Sequence, residues 1–286
     1  MLELTGEQIE QFHKDGFLIV DRLIENDTVL ALREAMDRLF LGDYETGITP
    51  DEVNWEHGKS DPALTRQICN GWRSDLTVAA TVLRGDFGRA IAELGGWQGA
   101  RVMIDNVIWK PPGTRPLGHH QDNAYLNWYS PAELISCWMA LDDTHASGGT
   151  VEFVRGSHRW QRSNFEGPFH GPDDYRRAML DAAAAEGVEP EIVHVEVPAG
   201  GGSFHHGWTW HGSGYNRSQN PRRAVVLHAM RDEVVFNPAH LGEGTGRIYS
   251  RYKRLGDNVV DENYFPVLWR ADGYRTPGLD DYLEGK

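Results

Sequence analysis

From residue 101 onward the chain consists of short β-forming runs separated by clusters of glycine, proline, asparagine and aspartate. The runs span 102–109, 134–141, 150–154, 192–197, 202–210 and 223–230. Many short strands at this spacing predict a sandwich or barrel rather than an alternating α/β fold. The connections favour a mainly β fold with flanking helices, a cupin-like jelly roll (double-stranded β-helix) of two packed sheets.

Residues 1–100 predict a mostly helical buttress for one of these sheets. Thr5 and Gln8 have the spacing of a capping box, in which each side chain bonds a free backbone amide at the start of a helix. The predicted helices span 7–14, a stretch after Asn26, and 76–94 with an interruption near Gly85, and a strand spans 17–20.

We expect one domain over 1–286, because neither an internal repeat nor a low-complexity linker divides the chain. Residues 101–235 would form the jelly-roll core, with a polar, alanine-rich helical insertion over 173–189. Residues 236–286 form an aromatic tail, which would either close the mouth of the fold as a lid or dock a partner subunit.

The net charge of −14 argues against nucleic acid and anionic membranes as partners, because both are bound through lysine and arginine. No apolar run approaches the roughly 20 residues that a membrane span needs, and the first residues lack the basic segment of a secretory signal. Cys69 and Cys137 are too few for a disulfide framework, so we expect both to fill the core. These features predict a cytoplasmic protein with a small-molecule partner, and they leave a homodimer open.

A metal site is indicated by His120-Gln121-Asp122, which places two ligand-type side chains at i and i+2, on one face if the segment is a strand. His211, at the end of a strand-like run, is the candidate third ligand. Two histidines and one carboxylate on three corners of an octahedron suit Fe(II) with open positions for oxygen chemistry. A His-x-Asp tripeptide alone arises often by chance, so the prediction also depends on an arginine of Pro221-Arg222-Arg223, one hairpin beyond His211, because arginine pairs with carboxylates.

At these residues the chain resembles the phytanoyl-CoA dioxygenase-like branch of the Fe(II)/2-oxoglutarate oxygenases, over about 15–230. The motifs that carry the resemblance are Asp15-Gly16-Phe17, Lys110-Pro111-Pro112-Gly113, His119-His120-Gln121-Asp122, Trp138-Met139-Ala140-Leu141-Asp142-Asp143, Gly148-Gly149-Thr150, Val154-Arg155-Gly156-Ser157-His158, and His211-Gly212-Ser213 with Asn216. The chain departs from the family at Arg155, where a proline is usual, but this position lies in a turn and carries no ligand.

The resemblance implies that His120, Asp122 and His211 bind Fe(II). It also implies a reaction with dioxygen and 2-oxoglutarate as co-substrates, which are converted to succinate and carbon dioxide while an unactivated C–H bond of a small molecule, for example in secondary metabolism, is hydroxylated. Related halogenases have a small residue in place of Asp122, so this chain is expected to hydroxylate rather than halogenate. Desaturation, ring formation and epimerisation use the same oxidant and remain open.

The resemblance further implies a pocket for 2-oxoglutarate. Arg222, eleven residues after the third ligand, would hold the remote carboxylate, and Ser213, Trp138 and Met103 would line the pocket. For Trp138, simple core packing is the alternative. On a strand Arg222 and Arg223 point to opposite faces, so we expect Arg222 to face inward and Arg223 to be solvated.

Three residues are candidate substrate contacts. Tyr125 and Trp128 lie just past the iron tripeptide, where the chain should leave the mouth of the barrel, although loop packing would explain them equally well. If one strand runs through 202–210 and His211 faces the interior, then His205 shares its face and lies beside the pocket.

Three rival functions remain at this point. An acyl-CoA hydroxylase of the same family would need a basic patch to bind the phosphates of CoA. The acidity of the chain makes such a patch unfavourable to expect. A cupin-like metal-dependent isomerase or hydrolase could use the same ligands without 2-oxoglutarate. A non-enzymatic ligand-binding jelly roll would have an intact pocket and no bound metal.

Overall fold

The computed structural model describes residues 2–162 and 169–285. Its helices are α1 Gly6–Asp15, α2 Asn26–Phe40, α3 Leu76–Val82, α4 Gly85–Gly95, α5 Arg177–Glu186, α6 Gly246–Tyr249 and α7 Leu279–Leu283. Its strands are β1 Phe17–Val20, β2 Glu52–Val53, β3 Arg66–Cys69, β4 Gly99–Lys110, β5 Leu117–His120, β6 Tyr129–Ser130, β7 Leu134–Ala140, β8 Val151–Val154, β9 Ile192–His194, β10 Gly202–His206, β11 His211–Ser213, β12 Arg222–Arg231, β13 Val235–Phe236 and β14 Val267–Arg270.

Two antiparallel sheets build the core. The larger sheet has the order β1-β10-β7-β12-β4-β3-β2, with β14 also paired to β4, and the smaller sheet has the order β5-β11-β8-β9. Apolar side chains from both sheets pack between them, and Phe17 of β1 stacks on Phe153 of β8 with ring centroids 5.0 Å apart. The mainly β jelly roll predicted from the sequence is confirmed.

The helices α1 to α4 pack on the outer face of the larger sheet. Strand alternation sends Cys137 and Met139 of β7 outward into this helical layer, whereas Ser136 and Trp138 face the interior between the sheets. The capping box of Thr5 and the Gln8 side chain is present at the start of α1, as predicted. Both cysteines are buried free thiols, which also agrees with the prediction.

The prediction of one strand through 202–210 is wrong. Strand β10 ends at His206 in the larger sheet, and β11 begins at His211 in the smaller one. The corner between them passes so close to a neighbouring loop that a Cβ atom on Gly207 would lie 2.3 Å from Asn123 Oδ1. Glycine therefore permits the chain to cross from one sheet to the other here.

Two further features were absent from the sequence prediction. Strands β2 and β3 extend the larger sheet beyond β4, within the region expected to be helical. The carboxy-terminal segment adds β14 to the same sheet, and it also lends Thr245 and Ile248 to the wall of the central cavity. Among the described residues, none of the helices combines the length and the apolar character that crossing a membrane requires.

Candidate metal centre and co-substrate pocket

His120, Asp122 and His211 meet between the two sheets. His120 ends β5 and is paired directly with His211 at the start of β11, so their ring centroids lie 4.2 Å apart. Asp122 Oδ1 lies 3.3 Å from His120 Nε2 and 3.5 Å from His211 Nε2. The sequence prediction placed Asp122 on the strand with His120, but Asp122 instead begins a 3-10 turn after β5. This turn brings the carboxylate to the two imidazoles. One potential ligand atom from each residue lies within 4.8 Å of the others.

Both histidines are held in the tautomer that metal binding requires. His120 Nδ1 lies 2.9 Å from the Gly118 carbonyl oxygen, and His211 Nδ1 lies 3.0 Å from that of Thr209. A carbonyl oxygen only accepts, so each Nδ1 carries the proton and each Nε2 keeps a free lone pair. Burial lowers the pKa of His211 well below its usual value, which favours the neutral ring. Two imidazoles that present Nε2 and one carboxylate form a donor set that fits Fe(II).

The second oxygen of Asp122 is occupied by protein donors. Ser136 Oγ donates to Oδ2 at 3.0 Å, and His205 Nε2 donates to the same atom at 3.2 Å. Burial alone would raise the pKa of Asp122, but the surrounding histidines, among them the hydrogen-bond donor His205, outweigh it and hold that pKa well below its usual range. The carboxylate is therefore ionised, and its orientation presents Oδ1 to the two ligand-type histidines.

A chain of hydrogen bonds leads from Asp122 to the opposite side of the cavity. Ser136 uses its one proton on Asp122, so it must accept from His228 Nδ1 at 2.7 Å. The other ring nitrogen of His228 then accepts from Asn106 Nδ2 at 2.8 Å, and Asn106 Oδ1 accepts from Gln67 Nε2 at 3.1 Å. Every donor in this Asp122 hydrogen-bond chain points towards the carboxylate. The sequence alone gave none of the residues that lead to Asp122 in this chain a role at the metal.

Arg222 lies in the same cavity, buried at the start of β12. Its Nε and Nη2 donate to the Gly149 carbonyl oxygen at 3.2 and 3.1 Å, and its guanidinium carbon lies 5.9 Å from the centre of the Trp138 ring. Burial lowers its pKa to about 10, which leaves it charged at neutral pH. Among the described residues no carboxylate lies within 4 Å of it, and the buried indole Nε1 of Trp138 has no hydrogen-bond partner there either.

Lys110, which the sequence analysis cited only as part of a motif, is a second basic side chain at this end of the cavity. It is fully buried, and it lies directly opposite Arg222 in the pairing of β4 with β12. Its Nζ donates to Ser213 Oγ at 2.9 Å and to the Gly214 carbonyl oxygen. Burial and the charge of Arg222 lower the pKa of Lys110 well below its usual value, and an incoming carboxylate would favour its charged form. Because Ser213 Oγ accepts from Lys110, its own proton is free to bind an acceptor.

Arg223 differs from the prediction. It points away from the cavity, as expected, but it is not solvated: its Nε and Nη2 contact Asp142 at 3.0 and 2.8 Å. Arg33 of α2 contacts the same carboxylate at 3.1 Å. Arg223 therefore ties the edge of β12 to the helical layer.

The remaining predicted residues fall into two groups. Met103, Tyr125 and His205 line the cavity, and Met103 does so because a β-bulge in β4 leaves it opposite no single residue of β12. His205 lies beside His211, with ring centroids 4.4 Å apart, although the two stand on different sheets. Trp128, expected to contact the substrate, does not line the cavity. It is fully buried in an aromatic cluster, and its Nε1 donates to Thr245 Oγ1 at 2.9 Å.

A buried carboxylate that sequence reasoning missed stabilises the strand carrying the ligands. Glu152 of β8 accepts from His119 Nε2 at 3.1 Å, from Tyr175 Oη at 3.0 Å and from Arg176 Nε at 2.9 Å. Burial alone would raise the pKa of Glu152, but its bonds to His119 and the charge of Arg176 lower it to about 2. Glu152 thus links β8, the residue next to His120, and the segment before α5.

The cavity that joins these groups lies between the sheets and has a volume of about 510 Å³. The model of the family described as phytanoyl-CoA dioxygenase (PhyH) matches residues 12–224. The chain belongs to the phytanoyl-CoA dioxygenase family. Membership confirms the predicted class of enzyme, a dioxygenase that depends on iron and 2-oxoglutarate.

The chain is also similar in sequence to named relatives and in fold to solved structures. The phytanoyl-CoA dioxygenase of Arabidopsis thaliana is 23% identical over 261 residues, which cover 80% of this chain and 90% of the relative. The ectoine dioxygenase of Bordetella bronchiseptica is 23% identical over 261 residues, or 84% and 79% of the two chains. The epimerase SnoN in complex with Fe3+, alpha ketoglutarate and nogalamycin RO superposes with a TM-score of 0.69 at 19% identity, covering 92% of this chain and 98% of SnoN. EctD from S. alaskensis with 2-oxoglutarate and 5-hydroxyectoine superposes with a TM-score of 0.62 at 17% identity, covering 82% of this chain and 78% of EctD.

Proposed function

We propose that the chain binds Fe(II) through His120, Asp122 and His211 and oxidises a C–H bond of a small molecule at the expense of 2-oxoglutarate and dioxygen. The balanced hydroxylation converts R–H, 2-oxoglutarate and O2 into R–OH, succinate and CO2. When bound, the iron supplies the oxidising power that the amino-acid side chains lack. The side chains ligate, orient the two organic molecules and keep water away.

The co-substrate would bind along the interior face of β12 and β7. Arg222 offers a two-point contact for the remote carboxylate of 2-oxoglutarate, and Ser213 can donate its hydroxyl proton to the same group. Lys110 stands behind Ser213 and adds positive potential. Trp138, stacked near Arg222, forms an apolar wall. An isolated buried guanidinium is costly, so a ligand that supplies a carboxylate explains why Arg222 has no carboxylate partner among the described residues.

The observation that carries this proposal is the combination, in one cavity, of three converging ligand atoms and a buried arginine that lacks a carboxylate partner among the described residues. An isomerase or hydrolase with the same metal ligands would have no use for the arginine. A simple binding protein would have no use for the fixed imidazole tautomers.

The test is iron binding together with substrate-independent consumption of 2-oxoglutarate. The wild-type protein should bind one Fe(II) and slowly form succinate in the presence of ascorbate. Asp122→Ala and His211→Ala should bind iron poorly, because two protein ligands compete weakly with water. His240→Ala, which changes an exposed histidine outside the cavity, is the matched control and should behave as wild type.

Wild-type iron content and turnover in either ligand variant would show that the triad is assigned incorrectly. If the wild-type protein binds no iron and consumes no 2-oxoglutarate, the result would favour a non-enzymatic ligand-binding jelly roll instead.

A further inference from the structure

The larger sheet carries polar side chains on the part of its inner face that lies beyond the metal centre. Strands β4, β3 and β2 continue the sheet on the side of β12 away from β7. The polar side chains that line the cavity from this part are Glu52, Asn54, Gln67, Cys69 and Asn106. Glu52 lies opposite Cys69, and Cys69 lies opposite Asn106, so these three form a row across the strands. We call the five residues the distal wall.

The neutral members of the distal wall are largely satisfied within the protein. Gln67 Nε2 donates to Asn106 Oδ1 at 3.1 Å, and Asn54 Nδ2 donates to the Thr65 carbonyl oxygen at 3.0 Å. Burial, and then the charge of Glu52, raise the pKa of the Cys69 thiol well above its usual value, so Cys69 stays neutral. Glu52 is therefore the one charged member of the distal wall.

Glu52 is a carboxylate that has no counter-ion in the described part of the chain. Its Oε1 accepts from Tyr249 Oη at 2.7 Å, which fixes the side chain. Within the described ranges, no lysine, arginine or histidine nitrogen lies within 4 Å of it. Among the described residues, Asp122 is the other carboxylate that lines the cavity, and it is turned towards His120 and His211. Arg247 also lines the cavity, but it is exposed at the mouth and donates to the Gly242 carbonyl oxygen.

The cavity consequently has opposite charges at its two ends. Arg222 stands on β12, and Glu52 stands on β2, with β4 and β3 between them. Adjacent strands are about 4.8 Å apart, which separates the two strands by roughly 14 Å. A carboxylate of 2-oxoglutarate suits the first end, and a cation suits the second.

We propose that the distal wall binds a protonated amine of the substrate, with Glu52 as the residue that determines this specificity. The inference rests on the proposed function: the substrate would be a small amine whose ammonium group pairs with Glu52 while a carbon of the same molecule reaches the metal centre. The same carboxylate would repel the phosphates of a CoA thioester. Gln67 and Asn106, which form the other end of the Asp122 hydrogen-bond chain, would contact the body of the substrate.

The experiment compares octylamine with 1-octanol, two probes of equal chain length that differ in charge. Their affinities are measured by ligand-observed NMR on protein loaded with Zn(II) and 2-oxoglutarate, which supports binding without turnover. The wild-type protein should prefer octylamine by about 10-fold, as expected for a partly desolvated ion pair. Glu52→Gln should abolish the preference, because the amide keeps the hydrogen bond to Tyr249 but not the charge.

Two further variants separate the charge from the scaffold. Glu56→Gln changes a carboxylate that is exposed and paired with Lys59, outside the cavity, and it should keep the preference. Tyr249→Phe removes the hydrogen bond to Glu52 but not its charge, and it should also prefer octylamine.

An octylamine that binds the wild-type protein no better than 1-octanol, or a preference that persists in Glu52→Gln, would overturn the inference. The affinity of the wild-type protein for 2-oxoglutarate, measured in the same samples, separates the two levels of the argument. Absent 2-oxoglutarate binding contradicts the proposed function, whereas intact binding without an amine preference contradicts only the role of Glu52.

Discussion

Replacement of Arg222 by alanine tests the co-substrate pocket most directly. Arg222 is only 2% exposed, and its guanidinium contacts no carboxylate of the described protein. Its partner in the working enzyme is therefore expected to be the remote carboxylate of 2-oxoglutarate. Loss of one member of a buried, hydrogen-bonded charge pair costs about 2 to 5 kcal/mol. At about 1.4 kcal/mol per decade, Arg222→Ala should weaken 2-oxoglutarate binding by roughly 30-fold to several thousand-fold.

Arg223→Ala is the matched control, since it removes the same side chain one position along the strand. Arg223 holds Asp142 through two contacts, and only Arg33 would remain as a guanidinium partner of that carboxylate. We expect a loss of about 1 to 3 kcal/mol in the free energy of unfolding. The affinity for 2-oxoglutarate should change by less than about 1 kcal/mol, since Arg223 faces away from the cavity.

The assay is isothermal titration of Zn(II)-loaded protein with 2-oxoglutarate, combined with urea unfolding of the same samples. The two variants should show opposite patterns, one losing co-substrate affinity and the other losing stability. Equal effects on 2-oxoglutarate affinity, or the larger effect at Arg223, would refute the reasoning from strand register and burial.

Three further predictions address residues around the metal centre. Lys110→Met keeps the packing but removes the charge, so the same titration should show about 10-fold weaker 2-oxoglutarate binding; unchanged affinity would mean that Lys110 serves folding alone. His228→Phe interrupts the Asp122 hydrogen-bond chain and should weaken Fe(II) affinity by about 10-fold or more. His228→Gln can still join Asn106 to Ser136, so it should bind Fe(II) more tightly than His228→Phe. Equal Fe(II) affinities in the two His228 variants would contradict the chain. The folded-state pKa of Glu152 is depressed to about 2, so its contribution to stability is present above the unfolded pKa and is lost as pH falls from about 5 towards 2. Urea unfolding should therefore find Glu152→Gln less stable than wild type by about 2 kcal/mol at pH 7, with the difference shrinking over that acid range; a constant difference would contradict the assignment.

Local sequence patterns were sufficient for much of the fold. The alternation of side chains along a strand predicted opposite faces of β12 for Arg222 and Arg223, and the capping box predicted the start of α1. Both signals act within a few residues and depend on backbone geometry that every strand or helix shares. The residue types at His120, Asp122 and His211, together with a nearby arginine and the family motifs, predicted a site for iron, because donor chemistry is a property of the side chain itself.

Tertiary structure decided which side chains meet. Lys110 contacts Ser213 across 103 positions, and Tyr249 contacts Glu52 across 197, and neither pairing has a local signal. Asp122 reaches the histidines through a turn rather than a strand, and Arg223 forms an ion pair with Asp142, which follows β7. Strand register and the corner at Gly207 set these contacts, and both result from packing over the whole chain. The sequence by itself therefore determined the chemistry available to the protein, whereas the opposite charges at the two ends of the cavity exist only because the fold brings distant residues together.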